Sequence, residues 1–314
     1  MANTAGSISQ LLDQLDTVVI GKREQARFLL AALISGGHVL LNDVPGVAKT
    51  RMVRALAGLS SLSFARIQGT PDLLPSEVTG GMIYQPQTGG LEFRSGPVFH
   101  HLVLVDEINR ATPRTQAALL ECMEEHQVTS DGVTHSLPEP FMVLATQNPV
   151  EMEGTFPLPE AQLDRFLLSF SLGYPSAEEE IEIARRFSAN DPLTGLSPVL
   201  EPADLLALRA SAEQVLVNDT VLDYVVRLCR ATRDYSRIRL GASPRATIQF
   251  VRVLRSYALT LGRDYVTPDD VKVLAPVVLS HRVVLGADAA VERLGPERVI
   301  LSLIDSISVP VESI

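Results

Sequence analysis

The chain has 314 residues, 46% hydrophobic and 20% charged, a globular composition rather than a disordered one. Its formal net charge of -10 and pI of about 5.1 leave it without the broad positive field that draws proteins to nucleic acid or anionic membranes. No apolar run is long enough to span a bilayer and no apolar h-region follows Met1 to Gly6, so a cytoplasmic protein is expected.

Residues 22–35 read as a helix, and 38–42 (HVLLN) as a buried strand. A helix over 49–59 and a strand over 64–68 (FARIQ) follow. Residues 71–98 break this rhythm. They are rich in Gly, Pro and Thr, with a hairpin expected around Thr88-Gly89-Gly90, and long inserts of this kind are usually functional. A strand over 102–105 (LVLV), a helix over 113–127 and a second hairpin over 128–135, turning at Asp131-Gly132, come next. Strands over 141–145 and 167–172 complete the series. Short apolar strands alternating with helices imply a parallel five-stranded sheet covered by helices on both faces. After Tyr174-Pro175 only helical patterns appear, over 178–189, 203–215, 220–233, 244–261 and 268–284, the last opened by Thr267 and Pro268. The reading is an α/β domain over 1–174 followed by a smaller all-α domain over 175–314.

Two motifs carry chemistry. The first strand runs into Asp43-Val44-Pro45-Gly46-Val47-Ala48-Lys49-Thr50 and then a helix, the strand–loop–helix context of a phosphate-binding loop. Backbone N–H groups there can surround phosphates, with Lys49 on the β- and γ-phosphates and the Thr50 hydroxyl on Mg²⁺. The pattern asks for glycine at 43 and 48, where Asp43 and Ala48 stand, so an ordinary strand-to-helix turn is the alternative. Asp43 would repel phosphate unless its side chain points away. The strand over 102–105 ends in Asp106-Glu107, which projects into the crevice where open α/β sheets bind ligands. Asp106 fits an acid holding Mg²⁺, and Glu107 a base that polarises the attacking water. Asn148, after the strand over 141–145, falls beside the same crevice, with simple Asn-Pro turn chemistry as the alternative. Cys122 and Cys229 read as buried, reduced thiols, and the six histidines show no metal-ligand spacing.

These residues together resemble the AAA+ superfamily and, within it, the MoxR family. The similarity runs through residues 39–50, Asp106-Glu107-Ile108-Asn109-Arg110-Ala111, Ala145-Thr146-Gln147-Asn148-Pro149, residues 158–166 and Gly241-Ala242-Ser243-Pro244-Arg245. The resemblance implies an AAA+ core with a helical lid, ATP and Mg²⁺ as cofactors, and a nucleotide pocket including Ile20, Gly21, Pro45, Gly46, Val47, Ala48, Lys49, Thr50 and Arg51. It implies that Asn148 is sensor 1, that Arg165 is an arginine finger reaching a neighbour's ATP, and that Arg245 is a lid residue on the γ-phosphate. Without the family, Arg165 reads as a surface arginine paired with Asp164. The resemblance also implies a homo-oligomer, a hexameric ring, remodelling client proteins alongside proteins with a von Willebrand factor A domain, with metal insertion among the roles. A nucleic-acid motor or loader is the second reading. Its strongest sequence feature is the basic segment Arg227, Arg230, Arg233, Arg237 and Arg239, against the acidic whole. A nucleotide-gated scaffold without turnover is the third, opposed by the intact Asp106-Glu107 pair.

Overall fold

A computed structural model of the chain describes residues 2–44, 46–87, 89–148, 154–187, 191–292 and 294–310. Helices α1 (Ala2–Val18) and α2 (Arg23–Ile34) open the chain, followed by β1 (Val39–Asn42), α3 (Lys49–Leu59) and β2 (Phe64–Gln68). The insert forms α4 (Pro75–Thr79) and the antiparallel hairpin β3 (Gly80–Gln85) with β4 (Gly90–Ser95). Thr88, at its expected turn, lies outside the described residues. Next come β5 (Leu102–Asp106), α5 (Pro113–Glu125), the hairpin β6 (Gln127–Ser130) with β7 (Val133–Ser136), β8 (Met142–Gln147), α6 (Glu160–Leu163) and β9 (Leu168–Phe170). The second half holds α7 (Ala177–Phe187), α8 (Pro202–Glu213), α9 (Asp219–Asp234), β10 (Ile238–Leu240), α10 (Pro244–Thr260), α11 (Pro268–Leu279), β11 (Val284–Leu285), α12 (Ala287–Val291) and α13 (Pro296–Ser306).

The central sheet is parallel, in the order β2-β5-β8-β1-β9. Alternation along its strands divides the core. Leu102, Leu104, Met142 and Leu144 pack with α2 and α3, whereas Val103, Val105, Val143 and Ala145 pack with Leu119, Leu120 and Met123 of α5. The 131–132 turn has φ of +49° at Asp131 and +78° at Gly132, the backbone that Asp-Gly adopts to match strand twist. Cys122 and Cys229 are free and buried, and burial pushes the Cys122 thiol up to about 12. Among the described residues no helix is long and apolar enough to cross a membrane, and no group of three or more His, Cys, Asp or Glu could hold a metal ion.

Several boundaries differ from the sequence reading. Helices α1 and α13 were not expected, although Pro296 at the first helical position and Glu297 in the first turn are start signals for α13. Helix α11 stops at Leu279 rather than running to 284, because the chain turns to bury Arg282. That guanidinium donates to Asp164 Oδ1 at 2.9 Å, Phe166 O at 2.6 Å and Leu167 O at 3.1 Å, fastening the helical half to the end of the core. Burial lowers its pKa to about 10, still leaving it charged. Beyond it β11 pairs antiparallel with β10, a short ladder within the otherwise helical second half.

Two buried polar side chains bracket β1. At its start His38, 4% exposed, accepts from Val143 N at 3.0 Å through Nδ1 and donates to Met123 O at 2.9 Å through Nε2. At its end Asp43, 3% exposed, turns away from the loop it precedes. Its carboxylate accepts from Ser171 Oγ, from Leu172 N at 2.7 Å and from Gly173 N at 3.1 Å. The acid that seemed set to repel phosphate is an anchor for the segment joining the two halves. Asp43→Ala leaves the buried Leu172 N–H without its acceptor and is expected to lower unfolding stability by about 1–3 kcal/mol, with Asp43→Asn losing less; urea denaturation of both checks this. Burial also lowers the His38 pKa to about 4. A histidine neutral when folded and protonated near pH 6.5 when unfolded contributes fully above pH 6.5 and loses stability as pH falls toward 4, by roughly 3 kcal/mol. His281, lowered for the same reason, acts in the same direction. His38→Gln is therefore expected to flatten the Tm profile between pH 6.5 and 4, and an unchanged slope would show that the histidine titrates freely when folded.

Candidate active site at the carboxyl edge of the sheet

Parallel register brings the strand ends to one edge: Gln68 lies beside Asp106, and Asn42 beside Gln147. The loop after β1 closes over this edge. Gly46 has φ of +90° and Ala48 sits in the left-handed region at φ +63°, ψ +16°, where its methyl group costs about 1 kcal/mol. These dihedrals lead directly into α3 at Lys49, whose free N–H groups and dipole favour an anion. Lys49 Nζ donates across the loop to the carbonyls of Asp43 and Val44, each at 3.3 Å.

Both acids of the Asp106-Glu107 pair are held by cations. Arg66 Nε reaches Asp106 Oδ2 at 2.6 Å, and Thr146 Oγ1 donates to Oδ1 at 3.4 Å. Glu107, itself left-handed at φ +56°, accepts from Gln68 Nε2 and from Arg110 Nη1, each at 3.1 Å, while its N–H donates to Thr146 Oγ1 at 2.9 Å. A strained backbone at an acid facing a cleft is a feature of sites where geometry is imposed for chemistry. The sequence reading missed Arg66, Gln68 and Thr146. The signal was present: Arg66 and Gln68 alternate along β2, so they share a face of a strand otherwise read as buried.

Of the expected residues, Gly46, Ala48, Lys49, Thr50, Arg51, Asp106, Glu107 and Asn148 line one cavity of about 340 Å³, joined by Asp43, Arg66, Gln68 and Thr146. Pro45 lies outside the described residues. Val47 faces the core, 7% exposed. Ile20 and Gly21 do not line the cavity. They form the turn between α1 and α2, where Gly21 lies against the carboxylate of Glu179 on α7, so close that a Cβ would clash. Nor do Arg165 and Arg245 line it. Arg165 donates to Leu120 O at 2.7 Å and pairs with Glu124 Oε2 at 3.0 Å, not with Asp164. Arg245, expected on the γ-phosphate, pairs with Glu124 Oε1 at 3.0 Å. The reason is the packing of α10, which starts at Pro244 and lies along α2, setting its first turn beside the end of α5. Asp164 instead serves Arg282 and Ser243.

A loop that gathers N–H groups and a lysine, facing two carboxylates and an amide, can bind a polyphosphate and direct a water at it. Known proteins agree with that chemistry. Residues 38–168 match the ATPase family associated with various cellular activities (AAA), and residues 230–302 match the AAA lid domain. The chain is 47% identical to the uncharacterized protein YeaC of Bacillus subtilis, covering 97% of this chain and 95% of that one. It is 41% identical to the chaperone MoxR1 of Mycobacterium tuberculosis, covering 99% and 84%. A crystal structure of a candidate ATPase from Cytophaga hutchinsonii superposes with a TM-score of 0.91 at 40% identity, covering 98% of this chain and 96% of the other. The chain belongs to the MoxR family of AAA+ ATPases and is an ATP hydrolase.

Proposed function

We propose that the protein hydrolyses Mg²⁺-ATP as a homo-oligomeric ring, hexameric by family habit, and uses the turnover to remodel or assemble partner proteins in the cytoplasm. The observation that carries this reading is the convergence of Lys49, Thr50, Asp106, Glu107 and Asn148 on one cavity at the sheet edge. Residues 1–174 form the nucleotide-binding core and 175–314 the lid. Lys49 supplies charge to the transferred phosphoryl group, and Glu107 and Asn148 place the water. The transition state is loose, so positioning and charge stabilisation do most of the catalysis.

The donor set fits a magnesium ion. Asp106 already holds a cation, the Arg66 guanidinium, and the Thr50 hydroxyl lines the same cavity. Thr50 and Asp106 would hold the ion, which when bound neutralises charge on the phosphate oxygens. Arg66 thus acts as a competitor for the position beside Asp106. Arg66 is half exposed, and an ion pair of that kind is worth up to ~1 kcal/mol, about fivefold in affinity.

Arg165 and Arg245, gathered by Glu124 away from their own cavity, are suited to a neighbouring subunit's γ-phosphate. The partner-facing elements are the two hairpins. Phe93 of β4 stacks on His135 of β7 with ring centroids 3.9 Å apart and planes 10° from parallel, leaving Met82, Tyr84, Leu91 and Val133 exposed. A contiguous apolar surface on paired hairpins suits transient grip on protein chains. A protein with a von Willebrand factor A domain is the partner the family suggests, with metal or cofactor insertion as one outcome of remodelling. Three of the five arginines of the basic segment that favoured a nucleic-acid motor are engaged within the chain: Arg227 pairs with Asp223, Arg237 with Glu292, and Arg233 donates to Ala242 O.

Two measurements test this reading. ATPase specific activity is expected to rise with protein concentration. Arg165→Ala is expected to retain ATP binding while losing ~10³-fold or more in turnover, with Arg245→Ala also impaired. Concentration-independent activity indifferent to Arg165 would mean a self-sufficient monomer. For Arg66, Mn²⁺ binding followed by electron paramagnetic resonance in saturating ADP should tighten up to about fivefold in Arg66→Ala, and weaker binding would make Arg66 a helper rather than a competitor.

A further inference from the structure

Three arginines of this chain gather around one cavity. A cavity of about 570 Å³ opens where the end of α2 meets α8 and α10, lined by Arg209, Arg252 and Arg255. Ile248, Arg252 and Arg255 stand at i, i+4 and i+7, on one face of α10. Arg209 comes from α8, and its Nε caps the end of α2 by donating to Ile34 O at 3.1 Å. Its Nη2 lies 2.9 Å from where a Gly36 Cβ would be, and Arg252 Nη2 lies 3.2 Å from the same point, so the two cations converge over that glycine. Glu213 is the one acid on the lining, and among the described residues no carboxylate is within ion-pair reach of the three guanidinium groups. Arg255 Nε is buried without a hydrogen-bond partner.

Like charges brought together in a concave place repel and lose hydration. The Arg252 pKa is lowered by burial of its guanidinium first and by Arg209 second, with Glu213 opposing the shift. Guanidinium forks match phosphate and carboxylate oxygens in pairs. One wall is apolar, with Ile248 71% exposed at the rim beside Leu222.

We propose that this cavity is a binding site for a compact multivalent anion carrying phosphate or carboxylate groups, held between Arg209 of α8 and Arg252 and Arg255 of α10. The floor is the end of core helix α2 and the walls belong to the lid, so an occupant clamps lid to core at a place separate from the nucleotide cavity. Small anions, not a nucleic acid, fit a recess of this size with a single acidic neighbour.

The test is isothermal titration calorimetry of the full chain with pyrophosphate and, separately, citrate, in metal-free buffer at constant ionic strength. Lys49→Ala serves as the background, to remove the phosphate loop's own anion binding. Saturable binding in that background, weakened at least tenfold by adding Arg252→Gln, is expected. Ile248→Glu sets a carboxylate one helical turn from Arg252 at an exposed position, and it should abolish binding while leaving all three arginines in place. Preference for pyrophosphate names a phosphorylated ligand, and preference for citrate a polycarboxylate. No saturable heat with either probe, or binding that survives both Arg252→Gln and Ile248→Glu, overturns the proposal.

Discussion

The parallel register of β2, β5, β8 and β1 is the constraint on which the rest depends. Parallel strands all end at the same side, so whatever follows each strand is delivered to one edge without further instruction. Gln68, Asp106, Gln147 and the loop after Asn42 are brought together by pairing alone. The inner strands β5 and β8 are buried on both faces, with apolar side chains throughout β5 up to Asp106. In these inner strands polar groups gather where the strand leaves the core, while Arg66 reaches the site from the exposed face of edge strand β2.

A second layer of polar contacts fixes what lies beyond that edge. Asp43 holds the backbone of residues 172 and 173 from the side of the phosphate loop, and Arg282 holds the carbonyls of 166 and 167 from the side of the lid. The short stretch joining core to lid is therefore gripped at both ends by buried, charge-assisted bonds, which are the stronger kind. The root of the lid is part of the rigid core. A change at the loop passes to the lid root through one carboxylate, while the outer lid, attached through α8 and α10 against α2, is the part free to answer separately.

Much of this was readable from the residues. Strand β2 and helix α3 fall where composition and periodicity put them, because short apolar runs bounded by turns have few other solutions. Arg165 and Asp164 show the limit. Adjacent opposite charges invite pairing, yet the turn after α6 sends them apart, Arg165 to Glu124 and Asp164 to Arg282, the latter 118 positions away. Asp43 is the same lesson with the opposite sign: its residue type argued against a phosphate loop, and only the position of β9 in the sheet supplies the donors that turn it aside. Arg66 and Gln68 were hidden by treating β2 as a uniform buried strand when its sheet-edge position leaves it half exposed. Long-range partners decide these residues, and no local pattern encodes them.

The arginines sort by what surrounds them, and that sorting separates structure from function. Arg282, with its side chain 1% exposed, could leave Asp164 only by abandoning a charge in the interior, a change of several kcal/mol, so it is fixed. Arg66, Arg110, Arg165 and Arg245 pair with carboxylates at partly exposed positions, where the pairing is worth at most ~1 kcal/mol and a phosphate or metal can replace it. Among the described residues Arg209, Arg252 and Arg255 have no carboxylate within ion-pair reach. A strong buried pair specifies the fold, a weak pair at a cleft holds a group ready for exchange, and cations grouped around an open recess already have the charge that an anion would balance. By this criterion the nucleotide cavity, the Glu124 face and the α2–α8–α10 recess are places where this chain keeps positive charge available.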